Sequence, residues 1–125
     1  MDKDRRPVFL DLTKIHLPVM AVMSIAHRIA GVVMFLLTPV AIYLLDLSLS
    51  SQQGYQESLS VVNHQLFRLF LVFSIWALAH HFFAGLRYLL LDIDIGIDRE
   101  MGRKTAWATI AGGVMVMFIS AIFLL

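Results

Sequence analysis

Three runs of about 20 mainly apolar residues constrain the fold of this chain more than any other feature. They lie at about 19–47, 65–91 and 105–125 in a chain of 125 residues. A helix of 20 residues rises about 30 Å, roughly the thickness of the hydrocarbon core of a bilayer. The hydrophobic fraction is 59%, above the roughly 45–50% of a soluble domain. The sequence therefore predicts an all-α membrane protein, with residues 1–125 forming a single domain of three transmembrane helices.

Basic residues gather at one end of this predicted bundle. The connector at 48–63 carries neither lysine nor arginine. Arg68, just after the connector, is the only basic residue at that end of the bundle. All other basic residues precede or begin the first span, or lie at the second loop: Lys3, Arg5, Arg6, Lys14, Arg28, Arg87, Arg99, Arg103 and Lys104. Cytoplasmic loops are enriched in lysine and arginine, so the N-terminus is predicted to be cytoplasmic and the C-terminus periplasmic. No cleaved targeting segment is visible, which favours a multi-pass protein of a bacterial inner membrane, although an organelle-encoded protein would look similar.

Composition also limits the chemistry that this chain can perform. It contains no cysteine, so disulfides, thiolate ligation and iron–sulfur clusters held by this chain are excluded. A net charge of +1 argues against a nucleic acid as partner. Apolar residues recur among the polar ones in residues 1–17, which predicts a short extended or interfacial segment.

A first polar stripe lies near the start of the first span. Ser24, His27, Arg28 and Gly31 are spaced i, i+3, i+4 and i+7, which places them on one face of a helix. A hydroxyl, an imidazole and a guanidinium on one face suit a carbonyl or carboxylate ligand, and the glycine permits close approach of a flat ring. The alternative is that no ligand binds here. In that case the arginine reaches the lipid headgroups, and the serine and histidine form hydrogen bonds with backbone groups.

A second polar stripe lies near the end of the second span. His81, Gly85, Tyr88 and Asp92 follow the spacing i, i+4, i+7 and i+11. Imidazole is an axial ligand of haem iron, and a glycine one turn away makes room for the macrocycle. His80 lies about 100° round the helix and remains an alternative ligand, although Gly85 favours His81. A histidine within a membrane can also form only a helix–helix hydrogen bond.

The predicted orientation brings the two stripes to the same end of the bundle. His27 lies next to Arg28 near the interface, where the propionates of a haem are expected rather than its iron. A six-coordinate haem needs two axial ligands, so the second is expected from a partner chain.

His16 and His64 are interpreted as solvated surface residues. The small residues Thr109, Gly112 and Gly113 are interpreted as a patch for close helix packing.

At these residues the sequence resembles the cytochrome b large membrane-anchor subunit of succinate dehydrogenase, respiratory complex II. The resemblance covers nearly the whole chain and rests on Arg6-Pro7 with Leu10-Asp11-Leu12, on Ser24-Ile-Ala-His-Arg-Ile-Ala-Gly31, and on His81 through Gly85-Leu-Arg87 to Asp92. The motifs occur in the order and spacing of the family. Two positions depart from it: Tyr88 stands where bacterial members often carry histidine, and Ala30 replaces a common serine or threonine.

The resemblance implies a site and a set of partners. It implies that His81 is an axial ligand of a b-type haem shared with a sister membrane subunit, which gives the other histidine. It implies that Ser24 and Arg28 line a ubiquinone site, and that His27, with Arg28, lies on the propionate side of the haem. An iron–sulfur subunit would deliver electrons from a flavoprotein that oxidises succinate, so the chain would be part of a heteromeric helix bundle in an enzyme complex.

Two other readings of the sequence stay open. One is a purely structural anchor, in which the histidines hold helices together and no haem binds. The other is the anchor of a quinol:fumarate reductase, which runs the reaction in reverse. The sequence does not distinguish the quinone type, the direction of the reaction or the oligomeric state of the complex.

Overall fold

The computed structural model describes residues 16–125 and contains four helices in that range. These are α1 (Val19–Ser50), α2 (Gln52–Asn63), α3 (Gln65–Asp92) and α4 (Arg99–Leu124). Helices α1, α3 and α4 are long and apolar enough to cross a membrane, and residues 16–125 contain no strand. The prediction of an all-α protein with three spans is confirmed. The predicted extended or interfacial segment falls, except for residues 16 and 17, outside the described residues.

The polar connector after the first span is itself a helix, which the sequence did not predict. Its first turn is capped by the Ser51 hydroxyl, which accepts a hydrogen bond from the backbone N–H of Gly54 at 3.0 Å, as is common at helix N-termini. Gly54 lies so close to the carbonyl of Leu47 that a side chain would not fit there without a shift. Because of this close contact, α2 folds back on the end of α1.

The last helix begins at Arg99 rather than near residue 105. Asp94 and Gly96 have positive φ angles of 60° and 80°, which turn the chain after α3. The charged run that follows was predicted to be loop. It is instead the first turn and a half of α4, supported by an ion pair at i, i+4 between Lys104 and Glu100 at 2.7 Å. Such pairs stabilise exposed helical turns modestly.

The three spanning helices meet around one methionine and two alanines. Met23 of α1, Ala84 of α3 and Ala106 of α4 are fully buried against one another, and every pair of these helices is packed together. Alanine lets helix backbones approach closely, which is the usual basis of packing in a bilayer. Large apolar side chains point outward instead, with Phe35 76% and Phe123 84% exposed. Such an exterior suits lipid and not water.

Arg68 ties the other end of the bundle together. Its Nη2 donates to Oδ1 of Asn63 at 2.9 Å, and its Nη1 donates to the carbonyl of Leu124 at 3.5 Å. The guanidinium therefore links the end of α2 to the end of α4. The sequence did not predict this structural role for Arg68, because both partners lie on other helices.

Candidate functional site

The two polar stripes lie against each other in a groove between α1 and α3. The imidazole rings of His27 and His81 are stacked, with centroids 4.1 Å apart and planes inclined by 18°. Tyr88 closes one side of the pair, because its ring meets that of His27 edge-on at 5.2 Å. The prediction that the two stripes share one neighbourhood agrees with this packing. We refer to this place as the histidine groove.

A hydrogen bond fixes the tautomer of His81. Its Nδ1 lies 3.2 Å from the backbone carbonyl oxygen of His27. A carbonyl oxygen can only accept, so Nδ1 must carry the proton and donate it. The lone pair of the neutral ring is then on Nε2, which is the arrangement typical of metal-bound histidine, whose other nitrogen donates to a carbonyl or carboxylate. His81 therefore presents a nitrogen that can bind a metal.

Two glycines shape the space around His81. A Cβ atom on Gly31 would lie 3.1 Å from Cε1 of His81, so a larger residue at this position would require the imidazole to shift by a few tenths of an ångström. A Cβ atom on Gly85 would meet nothing within 4 Å. The surface one turn beyond His81 is thus open, as a flat macrocycle beside that ring requires. Both glycines fit a haem ligated by His81.

Ser24 and Arg28 flank the groove on α1. Ser24 is half-buried and Arg28 is exposed, and no hydrogen bond or ion pair joins either side chain to another residue in the range 16–125. Both residues share one helical stripe with His27. A guanidinium at this depth in a membrane is expensive unless it pairs with an anion or reaches the interface.

His80 lies about 100° round α3 from His81 and packs against α4. It is 1% exposed, and its ring stacks on that of Trp76 at 5.7 Å. A Cβ atom on Gly113 of α4 would lie 3.2 Å from Cβ of His80, so the two helices touch here and leave no room for a cofactor. Within the described part of the chain, Nε2 of His80 has no hydrogen-bond partner. We call this contact the α3–α4 seam.

Arg87 belongs to the same seam. Its Nε donates to Oγ1 of Thr105 at 3.0 Å, and its Nη2 donates to the carbonyl of Gly102 at 3.2 Å. The side chain is only 8% exposed, so the guanidinium holds the start of α4 on α3 and does not face the histidine groove. Arg87 follows His80 by seven residues and therefore shares its face of α3. The sequence did not predict a structural role for Arg87, because its partners lie on another helix.

The remaining predictions about side chains agree with the structure. His16 and His64 are exposed. Thr109 is buried, and the Cβ positions of Gly112 and Gly113 fall 3.1–3.2 Å from Phe83 and His80, which confirms a small-residue packing patch. No group of three or more ligating side chains in residues 16–125 could hold a bare metal ion. A haem iron needs only axial side chains.

Comparison with known proteins decides the family. A family model described as the succinate dehydrogenase/fumarate reductase transmembrane subunit matches residues 2–121. The chain belongs to this family. It is therefore a multi-pass membrane subunit with an anchoring role in an enzyme complex.

Individual relatives within the family have names that specify one type of subunit. The chain is 32% identical over 121 residues to the succinate dehydrogenase cytochrome b556 subunit of Coxiella burnetii, covering 96% of this chain and 97% of the relative. It is 30% identical over 122 residues to the subunit of that name from Paracoccus denitrificans, covering 98% and 94%. The subunit of that name from Rickettsia conorii is 26% identical over 113 residues, covering 90% and 88%. The alignments span both polar stripes.

Proposed function

We propose that this chain is the membrane-anchor subunit of a succinate:quinone oxidoreductase. In this proposal it binds a b-type haem together with a sister membrane subunit and forms part of the ubiquinone-reduction site. The observation that carries the proposal is the His81 imidazole, whose Nδ1 is held by the His27 carbonyl and whose Nε2 is therefore free to bind iron. The names of the relatives, which specify a cytochrome b556, support the type of haem.

His81 of this chain would hold the haem from one side only. A b-type haem supplies, when bound, a one-electron carrier within the membrane. The partly exposed position of His81 and the open surface at Gly85 suit a haem at the edge of the bundle, between this chain and the sister subunit. A histidine of that sister subunit is proposed as the other axial ligand.

The neighbours of His81 on α1 have separate roles in this proposal. His27 and Arg28 lie on the side proposed for the haem propionates, where a guanidinium would balance the carboxylate charge. The carbonyl of His27 also orients the imidazole of His81. A ligand held by a fixed hydrogen bond keeps one ring orientation, which helps to set the electronic properties of the iron.

Ser24 and Arg28 are proposed to bind ubiquinone. The Ser24 hydroxyl can donate a hydrogen bond to a quinone carbonyl. The Arg28 guanidinium is always charged and would stabilise the negative charge that develops on the carbonyl oxygens as electrons arrive. The electrons are proposed to come from an iron–sulfur subunit, fed by a flavoprotein that oxidises succinate, at the cytoplasmic face of a bacterial inner membrane.

The quinone proposal is tested by Arg28→Ala in the assembled complex. We expect severe loss of succinate–quinone reductase activity, while electron transfer from succinate to a soluble artificial acceptor continues, because the soluble subunits stay intact. Arg28→Lys is the matched control: it keeps the charge but not the planar guanidinium, so it should retain part of the activity. Unchanged quinone reduction in Arg28→Ala would remove Arg28 from the proposed site.

Two alternatives are separated by further measurements. A pyridine haemochrome assay on the purified complex detects b-type haem directly, and its absence would support a purely structural anchor. The family description includes fumarate reductase, which would use the same residues in the reverse direction. The type of quinone bound and the midpoint potentials distinguish these two directions.

A further inference from the structure

A basic crevice opens at the start of α1, about one turn before Ser24. It opens between the first turn of α1 and the first turns of α4, with a volume of about 570 Å³. Pro18 and Met20 form one wall, and Arg99, Arg103 and Trp107 form the other. The side chains proposed for the haem and quinone sites, Ser24, His27, Arg28 and His81, are not among the residues that line the crevice.

The charge in this crevice is positive. Arg99 and Arg103 are both exposed and are one turn apart on α4, so their guanidiniums lie on one face. The carboxylate of Glu100, which also borders the crevice, is paired with Lys104 at 2.7 Å rather than with either arginine. Two guanidiniums on one face attract an anion.

The α1 wall adds backbone donors to these charges. No side chain of the described residues caps the N-terminus of α1 at Pro18. The first N–H groups of a helix lack partners within the helix and carry a partial positive charge. The N–H groups of Val19 and Met20 therefore complement the arginines of α4 at the mouth of the crevice.

The depth of the crevice indicates what kind of anion fits it. Trp107 lies eight residues after Arg99, about 12 Å further along the helix, and is 59% exposed. Tryptophan is enriched where headgroups meet acyl chains. Beyond it, the outer surface of α4 is apolar, with Phe118 62% exposed. The crevice is thus basic at its mouth and apolar below, like the headgroup and chains of a phospholipid.

We propose that this crevice is a binding site for an anionic phospholipid in the leaflet at the basic end of the bundle. Arg99 and Arg103 bind the phosphodiester, and Trp107 packs beside the glycerol and the upper acyl chain. Basic pockets between transmembrane helices are known to bind such headgroups. An acidic protein segment would match the arginines, but it would leave Trp107 and the apolar lower wall without a suitable partner.

The test measures lipid binding to the intact complex. The purified complex is depleted of lipid in detergent and titrated with phosphatidylglycerol or phosphatidylcholine, and bound lipid is counted by native mass spectrometry. We expect a preference for phosphatidylglycerol that falls by roughly fivefold for each arginine removed, the effect of one charge near an anionic surface. Arg99→Gln with Arg103→Gln removes both charges, and Arg103→Gln alone serves if the double variant does not assemble.

Glu100→Gln with Lys104→Gln is the matched control. It removes an ion pair of zero net charge from the same turns of α4, so the charge of the crevice is unchanged and the lipid preference should be too. An equal loss in this control, or no loss in the arginine variants, overturns the proposal. Competition by glycerol 3-phosphate at the same concentration would indicate a site for a soluble phosphate compound and would also overturn it. So would a photo-crosslink from position 99 to protein rather than to lipid.

Discussion

His80 and His81 are adjacent in the chain, yet they lie in opposite environments. His80 is sealed in the α3–α4 seam at 1% exposure, with an unpartnered Nε2. His81 lies half-buried in the histidine groove with its Nδ1 held by a carbonyl of α1. One residue rotates a helix by about 100°, enough to separate a packing residue from a candidate ligand. The difference shows that accessible space and a fixed tautomer, rather than residue type, identify the candidate.

The largest expected effect comes from removing the histidine of the groove. If His81 ligates the proposed haem, the His81→Ala complex should lack a low-spin b-type spectrum, because the only other imidazole in the second half of α3, His80, is buried at 1% exposure. His80→Leu is the control and should keep the spectrum, since its ring contacts only protein. The measurement is the reduced-minus-oxidised optical spectrum of each purified complex. A normal six-coordinate spectrum in His81→Ala would show that His81 is not the axial ligand.

The next effect concerns the strength of the seam. Arg87→Ala removes two hydrogen bonds to α4 and the packing of the buried side chain. We expect a loss of about 2 kcal/mol in the free energy of unfolding, because a charge-assisted bond contributes roughly 1.5–3 kcal/mol. Thermal or denaturant unfolding of the purified complex measures it. A stability equal to that of the unmodified protein would show that Arg87 does not hold α4.

A smaller loss of stability is expected in Gly113→Ala. The new Cβ would lie 3.2 Å from Cβ and 3.4 Å from Cα of His80, so α3 and α4 must move apart. Overpacking costs roughly 1–3 kcal/mol, and replacing glycine in a helix returns up to about 1 kcal/mol. We expect a net loss of about 1 kcal/mol with the haem spectrum unchanged. A shifted spectrum without loss of stability would place the seam within the haem site.

Gly31→Ala should give the smallest change in stability. Unlike Gly113→Ala, it should change the haem signal and leave the stability almost unaltered. Its Cβ would meet the far edge of the His81 ring, at Cε1, and a side chain can turn where a backbone cannot. We expect unfolding to be nearly unchanged, while the tilted imidazole shifts the electron paramagnetic resonance signal of the ferric haem. If stability falls as in Gly113→Ala and the signal stays fixed, the groove is a packing contact like the seam.

Much of this fold follows from local sequence patterns. Apolar runs of bilayer length determine three spans, and helical periodicity alone places Ser24 with Arg28 on one face and His80 with Arg87 on another. The helical connector α2 and the early start of α4 were not predicted, because both segments are short and mainly polar. In α2 the apolar residues Tyr55, Leu59 and Val62 do recur at helical spacing, and this signal could have revealed the helix. In those segments the Ser51 cap and the Lys104–Glu100 pair accompany helices that also depend on packing against α1 and α3.

The sequence by itself determined the helical spans, the two polar stripes and the chemical groups available for a ligand. Only the tertiary structure decided what each stripe faces. Three contacts join α1 to α3 across 50 or more positions of the chain. They are the stacking of His27 on His81, the hydrogen bond from His81 Nδ1 to the His27 carbonyl, and the contact of Gly31 with the His81 ring. Periodicity gives the direction of a side chain round its own helix. It cannot give the neighbour in that direction, because that depends on how separate helices pack.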